Sequence, residues 1–358
     1  MVLRFIYLFL FFLFSMGCSK DETLLPIEYD ATVLLANLAD SVILQTYYDL
    51  DNKAGTLLSS IETLSGNPTE AHLESARAAW VSARAPWEMS EGFLFGPVET
   101  KGIDPDIDSW PVNVIDLGNV LAGSATLNKD YVDGLEGTLK GFHTIEYLLF
   151  GNGSATKPLN AFTSRELEYL TACAQSFKDE TLNLADSWSP SGEDYTAHVK
   201  EAGQPSSLYV SQKAAVQEIV QGMITIADEV ANGKIQEPYS QNDVTLEESR
   251  FSNNSKIDFQ HNIQSIKNLY LGEYSGLSTG NGTGISDVIQ ETDPQLDQHF
   301  REELDDAIEL IGAIGGINGS FTDAITNNRP SIAAAQNAVR AVQHTLESEM
   351  EPIINRIQ

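Results

Sequence analysis

The sequence has few cysteines and few basic residues for its length. Only two of its 358 residues are cysteine, and 21 Lys and Arg stand against 51 Asp and Glu, which gives a formal net charge of -30. Such an acidic surface repels phosphate backbones and argues against nucleic acid as a partner. The excess of carboxylates suits a cation-binding protein, although acidity also keeps an exported protein soluble.

The sequence also lacks the alternation of apolar and polar residues that predicts a β-strand. Apolar residues instead recur at helical spacing through most of the chain, beginning with a long helix whose stripe starts at Leu34. Hydrophobic residues make up 42% and charged residues 20%, which are values of globular proteins. An all-α bundle architecture follows, in which short connections make neighbouring helices antiparallel.

A long hydrophobic run occurs at the N-terminus. After Arg4 the chain reads FIYLFLFFLF over residues 5–14, which is shorter than the roughly 20 residues of a membrane-spanning helix and is typical of a signal peptide. The following Gly17-Cys18 resembles a bacterial lipobox, and an ordinary secretory peptide is the alternative. The resemblance implies a signal peptide over residues 1–17, acylation of Cys18 and a tether over residues 18–29. We therefore expect an outer-membrane lipoprotein, facing the periplasm or the cell surface, whose lipid anchor is its contact with the membrane.

The remaining cysteine, Cys173, has no partner for an intramolecular disulfide once Cys18 is acylated. It follows Leu167 and Leu170 at helical spacing, so we expect a small buried hydrophobic residue rather than a reactive thiol.

Three further segments shape the expected architecture. Pro86 lies inside a helical pattern that runs to Phe95, and it should kink that helix or end it early. Residues 96–112 are rich in Gly, Pro and Asp and predict a long, packed, irregular loop. A helix is expected from about residue 130 to residue 150.

The sharpest local motif is GFHTIEYLLFG at residues 141–151. On a helix, His143 and Glu146 lie one turn apart on one face and can offer a nitrogen and an oxygen to one cation. Two ligands on one helix do not complete a site, so others must come from elsewhere. The alternative is a hydrogen-bonded pair with a structural role.

Charged residues also lie on the apolar stripe of the second helix. Arg84 and Glu91 share that stripe with two tryptophans, and charges in such a place are costly unless they are paired or functional. An ion pair of Arg84 with Glu88 or Glu91 is the structural alternative. A third polar segment contains Ser252 and Asp258, for which helix capping is the alternative role.

Taken together, these segments resemble the imelysin family, also called the M75 peptidase or iron-regulated protein A family. The matching segments are RAAWVSARAPWEMSEGFLFGPV (77–98), DSWPVN (108–113), GFHTIEYLLFG (141–151) and ESRFSNNSKIDFQHNIQSIKNLYLG (248–272). The resemblance covers residues 30–355 and implies two packed helical bundles that divide near residues 190–205. It places the Gly-x-His-x-x-Glu helix near their interface and implies a role in iron uptake.

The resemblance also suggests a set of site residues. It places His143 and Glu146 at the family's motif positions, and Glu91, Arg84, Ser252 and Asp258 in its other characteristic segments. A peptidase would need a further ligand, because Tyr147 follows Glu146 where an inverzincin has its second histidine, and no His-Glu-x-x-His occurs. Glu91 or a carboxylate of the 96–112 loop could complete the site. Such a set of histidine and carboxylates also suits iron.

The sequence therefore predicts an exported all-α lipoprotein that binds a divalent or ferric ion, iron in preference to zinc, and works with iron-uptake components. The predicted ligands are His143, Glu146 and Glu91, and the residues expected around them are Arg84, Ser252 and Asp258. One alternative is a zinc-dependent metallopeptidase with Glu146 as its catalytic residue. Another is a metal-free module that binds a peptide, haem or polysaccharide.

Overall fold

The structure is a computed structural model that describes residues 25–153, 156–274, 276, 282–316 and 319–358. No β-strand forms within these ranges; Ile27 and Ile357 make an isolated parallel bridge. The all-α prediction is confirmed. The predicted signal peptide and Cys18 lie outside the described residues. In the part that is described, no helix combines the length and the apolar character needed to cross a membrane.

Eight α-helices of ten residues or more carry the fold of the described chain. They are α1 (Leu44–Gly66), α2 (Glu70–Glu88), α3 (Gly141–Phe150), α4 (Ser164–Trp188), α5 (Gln212–Asp228), α6 (Ser255–Leu271), α7 (Pro294–Gly312) and α8 (Arg329–Thr345). Helix α1 continues an N-terminal stretch, Thr32–Asn37, through a π-helical segment, Leu38–Ile43.

Shorter helical segments connect these elements. The short α-helices are Pro97–Thr100, Asp104–Asp108, Val114–Ala122, Lys129–Asp133, Tyr195–Lys200, Gln236–Gln241, Ile285–Thr292, Phe321–Asn327 and Glu351–Ile354. Turns of 3-10 helix occur at Glu91–Phe93, Gly137–Leu139, Leu159–Ala161 and Val244–Leu246, and further π-helical segments at Glu229–Lys234 and Leu346–Met350.

The principal helices pack in two groups. Helices α1 to α4 contact one another in the first group, and α5 to α8 contact one another in the second. The groups meet where α6 packs on α2 and where α5 and α6 pack on the turn Glu91–Phe93. Residues 190–205 lie between α4 and α5, and a domain boundary there stays a prediction.

A buried apolar core fixes the positions of α2, α3 and α4. Trp80 of α2 is fully buried, and its indole N–H donates a hydrogen bond to the carbonyl of Phe142 at the start of α3, over 3.0 Å. Phe142 in turn packs edge-on against Phe177 of α4, with ring centroids 4.4 Å apart. Cys173 is buried in this core, as predicted. The start of α3 is therefore rigidly held.

Two element boundaries differ from the prediction. The helix expected over 130–150 is divided into Lys129–Asp133, Gly137–Leu139 and α3. Helix α3 begins separately because Lys140 is extended and Gly141 has a φ of 73°. The 96–112 segment is partly helical, in Pro97–Thr100 and Asp104–Asp108. A third boundary agrees with the prediction: helix α2 ends early, at Glu88, two residues beyond Pro86.

Candidate metal centre

A close backbone contact positions His143. A Cβ on Gly141 would lie 2.3 Å from the carbonyl oxygen of Ile107, so only glycine lets α3 begin directly against the Asp104–Asp108 helix. As a result, the fully buried His143 lies beside Asp108, with its Nε2 3.1 Å from the Asp108 Oδ1. The two atoms are close but not aligned for a hydrogen bond.

Glu146 lies on the other side of the His143 ring. Its Oε2 is 3.2 Å from Nδ1 of His143, and its Oε1 accepts hydrogen bonds from the backbone N–H and the hydroxyl of Ser252, at 2.8 and 2.7 Å. Both oxygens of Glu146 are therefore engaged. The pair Glu146 and Ser252 orients the imidazole and leaves Nε2 turned towards the opposite side.

Arg84 lies at the centre of a buried charge network. Its guanidinium is fully buried and forms ion pairs with Glu88, one turn further along α2, and with Asp108. It also lies 2.9 Å from Glu248 and 3.7 Å from Asp258. The predicted Arg84–Glu88 pair is therefore present, and four carboxylates surround this one cation.

Glu91 belongs to the neighbouring part of the network, where it pairs with a lysine. The Lys234 ammonium lies 2.6 Å from Glu91, 3.1 Å from Glu248 and 3.5 Å from Glu88. The side-chain amide of Asn262 donates hydrogen bonds to Glu88 Oε2 and Glu91 Oε2, at 2.6 and 2.9 Å. Glu88 and Glu91 are thus held side by side.

Two overlapping sets of side chains could hold a cation. Asp108, His143 and Glu248, the histidine group, each offer one ligand atom within 4.8 Å of the others. The second set, the carboxylate group, consists of Glu88, Glu91, Asp108 and Glu248. Their ligand atoms also lie within 4.8 Å of one another. Asp108 and Glu248 belong to both groups, so the two positions are adjacent.

The network carries more negative than positive charge. Six buried carboxylates face three cationic groups, Arg84, Lys234 and the protonated imidazole of His143; the carboxylates are Glu88, Glu91, Asp108, Glu146, Glu248 and Asp258. Several buried polar atoms also have no hydrogen-bond partner, among them His143 Nε2 and Glu248 Oε2. Leaving such atoms unpaired is costly. A metal ion bound by one nitrogen and several oxygens would satisfy them, and this donor set fits iron or zinc.

The surroundings shift the pKa values of these groups in opposite directions. Burial and Arg84 favour the neutral imidazole of His143, but Asp108 and Glu146 outweigh them and raise its pKa to about 9. Burial raises the pKa of Glu88 to about 8, although Arg84 and Lys234 oppose the shift. For Asp108, Arg84 and His143 overcome burial and hold its pKa well below the usual range. Near neutral pH the metal-free site therefore holds protons on His143 and Glu88.

A cavity of about 300 Å³ connects the network with the surface. Glu91, Asp108, Lys234 and Glu248 line its inner part. The remaining lining residues are Leu94, Asp104, Trp110, Glu229, Gly233 and Glu237. Burial raises the pKa of Asp104 to about 6, and the neighbouring Asp108 adds to the shift. The cavity is thus an acidic entrance of a size suited to an ion or a small ligand.

All six residues named from the sequence meet in this network, in different positions. His143 and Glu91 belong to the histidine and carboxylate groups respectively, Arg84 lies between the groups, and Asp258 lies beside Arg84. Glu146 and Ser252 lie behind His143. The residues predicted by name did not include Glu248 or Lys234, and Asp108 was expected only as some carboxylate of residues 96–112. Asp108 and Glu248 open the matching segments 108–113 and 248–272, which is the signal that could have identified them.

Comparison with known proteins identifies the class. A sequence profile described as Imelysin, peptidase M75, matches residues 43–348, and the chain belongs to the imelysin family.

Within that family, the chain is 30% identical to "Iron-regulated protein A" of Synechococcus elongatus over 349 residues, which cover 95% of this chain and 93% of the relative. The crystal structure of a protein described as an iron-regulated protein A precursor, from Parabacteroides distasonis, matches with a TM-score of 0.81 and 26% identity, over 94% of this chain and 97% of that one. An imelysin-like protein from Psychrobacter arcticum has the same fold, with a TM-score of 0.73 and 11% identity over 93% and 98% of the two chains.

Proposed function

We propose that this protein binds a metal ion, iron in preference to zinc, through Asp108, His143 and Glu248. The observation that carries the proposal is the position of the fully buried His143, whose Nε2 faces Asp108 at 3.1 Å and lies close to Glu248 in a network with more carboxylates than cations. A buried network with a purely structural role pairs its charges, because an uncompensated buried charge is strongly destabilising. The excess here favours a cation as the missing partner.

The arrangement suggests distinct roles for the residues predicted from the sequence. Glu146 contacts Nδ1 of His143 and accepts hydrogen bonds from Ser252. Carboxylates outside the ligand set fix the ring of a metal-binding histidine in this way. Glu91 belongs to the adjacent carboxylate group. The name of the Synechococcus relative, "Iron-regulated protein A", supports iron. We further propose that an acylated Cys18 anchors the protein at the outer membrane and that it serves iron uptake together with uptake components.

The two alternative functions have less support. A zinc peptidase would use Glu146 as general base, but both oxygens of Glu146 are engaged and it does not line the cavity. A cavity of about 300 Å³ is at the lower limit for small-molecule sites. It favours an ion over haem or polysaccharide.

The test is calorimetric titration of the soluble protein, residues 19–358, with Fe(II) under anaerobic conditions and with Zn(II). One equivalent should bind at the histidine group, and His143→Ala should weaken this binding by about 100-fold or more, since it removes the nitrogen ligand. His261→Ala is the matched control, because His261 is a partly buried histidine outside both groups. Equal binding by wild type and His143→Ala would contradict the proposal.

The same titrations have a pH dependence with a definite sign. Only neutral histidine coordinates a metal, and the pKa of His143 is raised to about 9. Metal binding should therefore release protons near neutral pH, and affinity should rise as pH increases towards 9. The peptidase alternative is tested by incubating the metal-loaded protein with unfolded polypeptides. Cleavage by the wild type that is lost in Glu146→Gln would support a peptidase.

A further inference from the structure

Lys234 is a buried lysine whose contacts are all with the candidate metal centre and its entrance. Its side chain is 8% exposed, and its ammonium lies within 3.5 Å of Glu88, Glu91 and Glu248. Three of the four members of the carboxylate group thus face a cation that the protein itself supplies. The ammonium stands where an ion bound by these carboxylates would stand.

Lys234 lies at the end of a π-helical segment beside the cavity. The segment is Glu229–Lys234, and π-helical turns are frequent at functional sites. Gly233, the preceding residue, also lines the cavity.

Other carboxylates in the same cavity offer the ammonium a second position. Glu229, Glu237 and Asp104 also line the cavity, and Glu229 and Glu237 are exposed, so these two lie nearer its entrance. A lysine side chain is long and flexible, so its charged end can move between carboxylates without leaving the cavity. Such a movement would keep the charge paired.

We propose that Glu88, Glu91 and Glu248 form a second cation subsite beside His143, and that the Lys234 ammonium occupies this subsite until an incoming metal ion displaces it towards Glu229 and Glu237. The inference rests on the proposed function and deepens it. Lys234 acts as a tethered counter-ion: it neutralises the carboxylates of the metal-free protein and competes with the metal. No bond is made or broken in the exchange, and the ammonium keeps its charge.

Unpartnered atoms show that Lys234 satisfies this subsite only in part. Oε2 of Glu248 and Oδ1 of Asn262 are buried without a hydrogen-bond partner. One ammonium thus leaves the carboxylates short of positive charge, and a divalent or trivalent ion would supply more.

Lysine accessibility tests the displacement directly in the unmodified sequence. Wild-type protein, metal-free or saturated with Zn(II), would be treated with a limiting amount of acetic anhydride, and acetylation would be measured at each lysine by mass spectrometry. Lys234 should be protected in the metal-free protein and acetylated several-fold faster with Zn(II). Lys256 is the internal control, because backbone carbonyls of Ile314 and Gly319 hold its ammonium at 3.1 and 2.7 Å, away from the cavity.

The variant Lys234→Gln tests the competition. Removing the charge should strengthen Zn(II) binding by about tenfold, or about 1.4 kcal/mol, whereas Lys267→Gln should leave it unchanged, because Lys267 pairs with the exposed Asp305 outside the cavity. If Lys234→Gln does not fold, the acetylation of wild type still decides. Zinc binding with unchanged acetylation of Lys234 would overturn this inference alone. Failure of the wild type to bind any metal would remove the proposed function as well.

Discussion

His143 is held between two carboxylates that play different parts. Asp108 faces Nε2 from the side of the cavity, whereas Glu146 faces Nδ1 from the protein interior and is itself held by Ser252. A carboxylate in the second position fixes the tautomer and the direction of the ring without touching the metal. In the proposed metal site, the two residues of the Gly-x-His-x-x-Glu motif therefore supply one ligand, His143, and one carboxylate that orients it.

A substitution at Glu146 distinguishes a carboxylate that orients His143 from one that binds the metal itself. Glu146→Gln keeps the shape of the side chain but removes its charge, so we expect metal affinity to fall by about 10- to 100-fold with unchanged stoichiometry. Calorimetry measures both quantities. Glu74→Gln is the control, because Glu74 is exposed and pairs with Arg77 near the start of α2. Complete loss of binding in Glu146→Gln would show instead that Glu146 is itself a ligand.

The sequence predicted which residues belong to this network more completely than it predicted which of them contact one another. Helical spacing showed that His143 shares a face with Glu146 and that Arg84 can reach Glu88, since both relations lie within one helix. It could not show that Glu248 and Lys234 lie beside Arg84, because these residues are more than 140 positions away along the chain. Contacts at such separations depend on how helices pack.

The first residue of α3 determines how that helix meets its neighbour. Gly141 combines a φ of 73° with a close approach to the backbone of Ile107. Both features require glycine, because an L side chain is strained at this φ and a Cβ would overlap the carbonyl oxygen. The glycine of the motif is therefore the residue that brings His143 next to Asp108.

Gly141→Ala should accordingly damage both the fold and the site. We expect a loss of about 1–3 kcal/mol from backbone strain alone, with further loss from the overlap, together with weaker metal binding because α3 moves away from Asp108. Urea unfolding and calorimetry provide the two measurements. Gly66→Ala is the control at the end of α1, where an added Cβ meets nothing within 4 Å. Unchanged metal affinity in a destabilised Gly141→Ala protein would contradict this role for the contact.

Element boundaries were harder to predict than element type. The long apolar stripe that starts at Leu34 predicted the first helical stretch, which continues as α1, correctly because many residues contribute to the pattern. The Asp104–Asp108 helix has only five residues, which is too short for a periodic pattern, and so it was predicted as part of an irregular loop. That short helix carries Asp108, which explains why the ligand was expected only as some carboxylate of residues 96–112.

The candidate centre depends on both groups of helices. Arg84, Asp108 and His143 come from the first half of the chain, and Lys234, Glu248 and Asp258 come from the second. Each half alone would expose an incomplete set of charges to water. The centre therefore forms only when α6 packs against α2. Its residues are brought together by the packing of the two groups of helices, not by their positions along the chain.

The predicted membrane anchor belongs to residues that lie outside the described structure. The run at residues 5–14 followed by Gly17-Cys18 predicts a lipid anchor, and no described helix can supply a membrane span in its place. Wild-type protein should therefore partition into detergent and incorporate labelled fatty acid in a Gram-negative host, whereas Cys18→Ala should do neither. Cys173→Ala is the matched control, because that thiol is buried in the core. Equal labelling of Cys18→Ala and wild type would contradict the lipoprotein prediction without affecting the metal centre, since every residue of the centre lies beyond the tether.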